Sequence, residues 1–231
     1  RCNSLEEISI SEAISEIPIG FAWDCENLRK VSIPESVISI KTQAFSHTGL
    51  LEVNLPESVM TIEKYAFSEC DNLKIIHFPS DIISLGEGVC SNCDNLEEVY
   101  IPGSLSVIPK SGFSGCASLK KLTIEEGVEK IDYSCFSNCN LLEEVKIPNS
   151  VKDLGGYVFS DCENLRKVEI PALESWGGRD FSYCTNLSEV ILAEGLVVIG
   201  NRSFEYTKGL KSIVIPSTVC GIGQYAFAYT G

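Results

Sequence analysis

A leucine recurs every 22 or 23 residues from one end of the chain to the other. Each recurrence opens the same block, in which a Val or Ile (in one repeat, Leu122) follows three positions later, then an Ile or similar residue, and often a Pro. A unit of this length has too few apolar side chains to close a core around itself, so successive units must stack and share one. The period therefore predicts a solenoid. The leucines are Leu5, Leu28, Leu50, Leu73, Leu96, Leu119, Leu142, Leu165, Leu187 and Leu210.

The repeated block also predicts the local structure of each coil. Leu-x-x-Val-x-Ile alternates along the chain, which indicates a short strand with Val and Ile pointing inward, and the following Pro ends it because Pro cannot donate to a ladder. Stretches such as residues 65–70 fit a single helical or 3₁₀ turn. We therefore expect an α/β repeat solenoid, a right-handed superhelix with a continuous parallel β-sheet on its concave side and short turns elsewhere.

The repeat array predicts a single domain spanning residues 1–231. It holds about nine full repeats of 22 or 23 residues, with cut repeats at both ends. Neither terminal segment has the polar composition of a cap, which a solenoid needs for solubility. We expect further repeats or a cap outside this segment, or end-to-end contacts with further repeats.

Two more columns follow the strand block. An aromatic slot lies five residues beyond the last Ile of the unit, and three residues later comes a small slot that holds Cys or Thr. A slot that accepts either residue favours a small buried group bonded to a neighbouring backbone carbonyl, over a disulfide or a functional thiol. Cys90 and Cys93 have the spacing of half a metal or redox motif, but no second pair completes it, so we predict no metal and no cofactor. The aromatic slot holds Phe45, Phe67, Phe113, Phe136, Phe159, Phe181, Phe204 and Phe227.

The full pattern is specific to one kind of repeat. The pattern is Leu-x-x-Val-x-Ile-Pro-x-Ser-Val-x-x-Ile-x-x-x-Ala-Phe-x-x-Cys, and residues 28–34 and 142–148 are clear copies of its start. It resembles the BspA-like leucine-rich repeat over essentially the whole chain. Departures are local: Cys90 stands in the Phe slot, and Glu125 and Ala193 stand in the Pro slot. The resemblance implies a surface or secreted protein involved in adhesion and host-protein binding, and it brings no catalytic residues.

Charge and composition narrow the function further. There are 32 Asp and Glu against 18 Lys and Arg, giving a net charge of -14, so nucleic-acid backbones and anionic lipids would be repelled. No apolar stretch reaches the ~18 residues of a membrane span, so we predict no membrane insertion of this segment. His47 and His77 are the only imidazoles, and neither belongs to a Ser/His/Asp or Cys/His constellation. We predict a protein that is not an enzyme.

Position along the strand decides which side chains are free to bind a partner. The two columns that follow each leucine nearly alternate in charge from coil to coil, so we expect cross-strand pairs to neutralise them. The column four residues after each leucine points to the same outer face and does not alternate. Tyr100 offers an aromatic anchor there, and a merely solvated face is the alternative. The candidate partner-binding face comprises Asn54, His77, Tyr100, Thr123, Lys146, Ile191 and Val214.

Two hypotheses about function follow from the residues and the resemblance. The first is a non-catalytic, extracellular or cell-surface leucine-rich repeat module that binds a protein in the manner of an adhesin; the ligand, a protein or a surface glycan, is not specified by the sequence. The alternative is a structural spacer or display stalk with no ligand of its own. The location is implied by the family resemblance.

Overall fold

The protein, a computed structural model that describes residue 2 and residues 4–231, is a parallel β-solenoid. Each coil except the last, which begins at Leu210, contributes a strand of three or four residues to one side, which we call the long-strand face. The nine strands of this face are β1 (Glu7–Ser9), β3 (Lys30–Ser32), β5 (Glu52–Asn54), β7 (Ile75–His77), β9 (Glu98–Ile101), β11 (Lys121–Ile124), β13 (Glu144–Lys146), β15 (Lys167–Ile170) and β17 (Glu189–Leu192).

A second side, the short-strand face, is built from ten strands of two residues. Each strand comprises the last two residues of the Val-x-x-Ile segment or its equivalent, and the strands pair in parallel within three ladders, β2–β4–β6–β8, β10–β12–β14–β16 and β18–β19. They are β2 (Glu16–Ile17), β4 (Ser39–Ile40), β6 (Thr61–Ile62), β8 (Ser84–Leu85), β10 (Val107–Ile108), β12 (Lys130–Ile131), β14 (Asp153–Leu154), β16 (Ser175–Trp176), β18 (Val198–Ile199) and β19 (Gly221–Ile222).

The third side of each coil, the turn face, surrounds the aromatic slot. Seven of the phenylalanines in this slot are fully buried, and neighbouring rings stack with centroids 5.4 to 5.7 Å apart. Offset stacking of this kind adds to the burial of the rings themselves. Cys90 interrupts the column, and there Phe78 meets Phe113 edge-on at 6.1 Å. The phenylalanine column is therefore the axis of the shared core.

The cysteine slot has the role that its Cys-or-Thr composition predicts. The Sγ of Cys70 donates to the carbonyl of Phe45 in the preceding coil at 3.1 Å, and Cys184 bonds Phe159 in the same way. In the same slot of a later coil, the Thr207 hydroxyl donates within its own coil, to the carbonyl of Phe204, at 2.6 Å. All eleven cysteines are free thiols in the part of the chain that the structure covers. The thiols therefore act as small buried donors.

The predicted helical turns are wrong: the described residues contain no helix, so the coil is built from strands and turns alone. Around Phe67, alternate N–H groups point along the solenoid axis, since those of Tyr65, Phe67 and Glu69 donate to the next coil at 2.8 to 2.9 Å. These donors are unavailable for bonds within one helix. Tyr65 and Glu69 also have φ near 57° and 56°, a left-handed conformation that a helix excludes.

The predicted continuous sheet is also corrected. The long-strand face consists of three hydrogen-bonded ladders, β1–β3, β5–β7–β9–β11 and β13–β15–β17. The first break coincides with the 22-residue repeat that ends at Leu50. The second follows β11, where Glu125 replaces Pro and its N–H donates back to the carbonyl of Ile101 at 3.0 Å.

Candidate functional site

The structure divides the predicted partner-binding face at the breaks between ladders. Asn54 lies opposite His77, and Tyr100 lies opposite Thr123. Their equivalent positions in successive repeats suggest that His77 and Tyr100 are ladder partners. They are not, because strands β7 and β9 pair only at their first residues. The face is therefore a series of short surfaces.

The remaining members of the face follow the second break. Lys146 lies opposite Glu169, which in turn lies opposite Ile191. Val214 lies outside any strand and is 84% exposed. The C-terminal part of the face thus carries one cation and two exposed apolar side chains.

The predicted neutralisation of the first two columns is confirmed at several pairs. The Nζ of Lys30 lies 2.9 Å from Glu7, and the Nζ of Lys167 lies 3.0 Å from Glu189. Further ion pairs of the same kind join Lys120 to Glu97 and Lys121 to Glu98. By contrast, the side chain of Lys146 is 76% exposed and its Nζ lies 3.9 Å from Glu169. Lys146 therefore keeps a charge that is open to a partner.

The break between β11 and β13 opens the core to solvent. Leu122 and Ile124 occupy inward-facing positions but are only partly buried, whereas the equivalent Val99 and Ile101 of the preceding coil are fully buried. The opening forms a cavity of about 290 Å³, which we call the seam cavity. It is lined by Leu122, Thr123, Ile124, Glu126, Lys146 and Pro148.

Two carboxylates beside the seam cavity are already engaged. Glu125 accepts a hydrogen bond from Tyr100, which lowers the pKa of Glu125 and raises the pKa of the Tyr100 hydroxyl. Glu126 accepts the backbone N–H groups of Ser150 and Asn149 at 2.9 and 3.1 Å, and these bonds lower its pKa. A ligand therefore meets an apolar cavity with a Lys ammonium at its rim.

The two histidines lie apart. His47 lies on the turn face, where its Nε2 is 2.5 Å from the carboxylate of Glu69. Both residues line a polar cavity together with Arg29 and Asp71. His77 is on the long-strand face. Within the described ranges, no group of three or more His, Cys, Asp or Glu side chains could hold a metal ion, and no helix is long and apolar enough to cross a membrane.

Sequence reasoning missed the side chains of the turn face. Tyr183, Tyr206 and Tyr229 stack with ring centroids 4.7 and 4.5 Å apart, and Arg179 lies over the ring of Tyr157. The signal that could have found the stacked tyrosines is their shared position two residues after Phe181, Phe204 and Phe227 of the aromatic slot. The four-residue spacing of left-handed residues was not visible without the backbone angles.

Stacked parallel strands in coils that open with a leucine, buried in every coil from Leu28 onward, define a leucine-rich repeat protein. A sequence profile described as "BspA type Leucine rich repeat region", in six copies, matches residues 1–120 and 106–231. The chain belongs to this family. A comparison with curated proteins found no match.

Solved structures with the same fold include three bacterial proteins. The pneumococcal vaccine antigen PcpA is 26% identical with a TM-score of 0.66, over 94% of this chain and 58% of that one. The leucine-rich repeat protein TpLRR of T. pallidum is 26% identical with a TM-score of 0.57, over 79% of this chain and 78% of that one. A leucine-rich cell-surface protein of Faecalibacterium prausnitzii is 22% identical with a TM-score of 0.51, over 83% and 61%.

Proposed function

We propose that the protein is a non-catalytic, extracellular or cell-surface module that binds a protein partner through its long-strand face. The observation that carries the proposal is the seam cavity, where Leu122 and Ile124 are only partly buried although the two flanking coils bury the equivalent positions. An apolar cavity with one charged group at its rim is typical of a site that receives an anchoring side chain. Lys146 favours a partner segment with a carboxylate next to its apolar anchor.

The cell-surface location has separate support. Two similar structures are described as a vaccine antigen and as a leucine-rich cell-surface protein. Family membership agrees with a repeat array whose surface serves binding. The spacer alternative differs in having no ligand at any face, so the two functions are separated by a binding measurement.

The test uses the intact chain against immobilised extracellular-matrix proteins in a surface-binding assay. For each matrix protein that binds, the His77→Ala/Tyr100→Ala double variant and the Lys146→Glu variant should each weaken binding by at least about tenfold, as expected for hot-spot and charge-paired residues. Neither side chain of the double variant faces the core, so the thermal midpoint should stay close to that of the wild type.

A matched control lies on the short-strand face. Ile38 and Ile83 are 51% and 57% exposed, so Ile38→Ala/Ile83→Ala removes as many side chains from the other side of the solenoid. This control should bind as the wild type does. Binding lost in the control and kept in both face variants contradicts the docking assignment, and no binding to any matrix protein favours the spacer.

A further inference from the structure

The turn face carries a second cavity, unrelated to the seam cavity. It measures about 350 Å³ and opens where coils in the C-terminal half of the array meet. Its walls are Tyr133, Tyr157, Arg179, Asn201 and Arg202. The two tyrosine rings lie 5.3 Å apart at 51°, and the guanidinium carbon of Arg179 lies 5.5 Å from the centre of the Tyr157 ring. We call this the turn-face cavity.

The floor of the turn-face cavity is bare backbone. A Cβ on Gly178, which has φ of 99°, would lie 2.4 Å from the carbonyl oxygen of Asn201, and one on Gly177 would lie 2.5 Å from a backbone nitrogen. Only glycine fits at these positions. The buried carboxylate of Asp180 holds the floor from below, since it accepts the N–H of Gly178 at 2.9 Å and that of Val158 at 3.1 Å.

The wall residues occupy backbone positions that large side chains rarely take. Tyr157, Arg179 and Arg202 have φ of 61°, 59° and 54°, whereas the same slot holds Gly20 and Gly88 in earlier coils. Non-glycine residues fill this slot in most other coils too, among them Gln43, Tyr65 and Tyr225, so the left-handed conformation belongs to the repeat. What distinguishes these three successive coils is that the slot places an aromatic ring and two guanidinium groups beside one cavity.

The positive charge of the Arg179 guanidinium is available to a ligand in the turn-face cavity. Arg179 has no ion pair with any described residue, while Arg202 is paired with the buried carboxylate of Glu205 at 3.1 Å. Asn201 accepts the N–H of Gln224 through its Oδ1 at 2.8 Å, which leaves its amide N–H groups as donors. The cavity therefore combines a guanidinium, an amide donor and two aromatic rings in a protein whose net charge is -14.

We propose that the turn-face cavity binds a carboxylated sugar, such as a sialic or uronic acid residue at the end of a glycan. A guanidinium binds a carboxylate through two parallel hydrogen bonds, and an aromatic ring packs against the C–H face of a pyranose. The volume lies in the range of small-molecule sites, about 300–1,000 Å³. The net charge of -14 on the whole chain opposes densely sulfated polymers, so we expect a single carboxylate to bind and a polyanion not to bind.

The test compares 3′-sialyllactose with lactose, and glucuronic acid with glucose, by saturation-transfer NMR and titration calorimetry on the intact chain. We expect the two acidic sugars to bind and the neutral sugars to bind at least about tenfold more weakly, a difference of about 1.4 kcal/mol. Heparin, offered at the same ionic strength, should not bind. Equal binding of acidic and neutral sugars, or binding of heparin alone, would overturn the proposal.

Variants make the assignment specific to the cavity. Arg179→Gln should weaken sialyllactose binding by at least about tenfold while keeping the fold, because Gln43 occupies the same slot with φ of 56°. Tyr133→Ala, at a position outside the left-handed slot, should weaken it as well. Arg166→Gln removes an arginine elsewhere and should bind as the wild type does. Wild-type binding by Arg179→Gln contradicts the proposal.

This site is independent of the long-strand face. His77→Ala/Tyr100→Ala should bind sialyllactose as the wild type does, and Arg179→Gln should keep any matrix-protein binding. Failure of one proposal is therefore distinguishable from failure of the other. Loss of sialyllactose binding in His77→Ala/Tyr100→Ala, with the thermal midpoint unchanged, would place the sugar on the long-strand face and overturn the inference.

Discussion

The indole Nε1 of the partly buried Trp176 donates to the carboxylate Oδ2 of the fully buried Asp180 at 2.7 Å. Both stand in core slots that another repeat fills with Ile62 and Ala66. Burial raises the pKa of the Asp180 carboxyl well above its usual range, while the three N–H groups that it accepts counteract this effect. One polar residue in the core is thus matched by another, four residues away.

The pairing predicts strong coupling between the two substitutions. Asp180→Ala leaves three N–H groups without an acceptor, each costing about 1–3 kcal/mol. Trp176→Ile/Asp180→Ala restores the pattern of Ile62 and Ala66, so we expect it to be more stable than Asp180→Ala alone. A double-mutant cycle from urea unfolding should give a coupling energy of about 1–3 kcal/mol. Additive effects of the two substitutions would contradict a paired origin.

The buried cysteines predict a simple pattern of thiol reactivity. Nine of the eleven are buried, and burial raises the pKa of the Cys116 thiol to about 12 and those of Cys70 and Cys139 well above the usual range. Because the thiolate is the reactive form, only Cys2 and Cys220 should react quickly with Ellman's reagent in the folded protein. Eleven should react in denaturant. A third fast thiol in the native state would show that the core opens locally.

The sequence was sufficient for the features that every repeat shares. Leu28 and the phenylalanine column are buried as the period predicts, because identical coils must superpose to share one core. The sequence was insufficient where single repeats differ. The break after β11 coincides with Glu125 in the Pro slot, and the partial burial of Leu122 beside it is visible only once two neighbouring coils are placed together.

The turn segments were misjudged for a different reason. The Ala-Phe-Ser-x-Cys pattern has the apolar spacing of one helical turn, so periodicity alone cannot distinguish it from a sequence of left-handed residues. Tyr65 and Tyr183 offer no warning, since tyrosine is uncommon at positive φ. Bonds between coils, which no local pattern encodes, decide the conformation. The turn-face cavity was hidden for the same reason.

An ion-pair cluster predicts a pH-dependent contribution to stability. Glu87 lies 3.0 Å from the Nζ of Lys110 and 3.5 Å from that of Lys64, and these cations lower the pKa of Glu87. The folded-state pKa is therefore below the unfolded value of about 4.3, so the stabilisation is present above that pH and is lost as the pH falls through the folded pKa.

Comparison with a neutral variant isolates this effect. Glu87→Gln should melt at a slightly lower temperature than the wild type at pH 7, by a small margin because the partners are exposed, and the gap should close toward about pH 3. The exposed Glu35 serves as a control, and Glu35→Gln should track the wild type throughout. A gap between wild type and Glu87→Gln that stays constant down to pH 3 would contradict the assigned ion pairs.

Gly127 is predicted to be essential to the turn that follows β11. It has φ of 116°, and a Cβ there would lie 2.2 Å from the carbonyl oxygen of Gly103 in the preceding coil. Gly127→Ala should therefore destabilise the protein by more than about 1 kcal/mol, since alanine meets both a forbidden angle and a backbone atom. Gly221 is the matched control, because its φ is ordinary and a Cβ would meet only Val198 at 3.5 Å. Gly221→Ala should leave the stability unchanged or raise it by about 0.4–1 kcal/mol. Urea unfolding of both variants decides the point, and equal stability of the two would show that the turn tolerates a side chain.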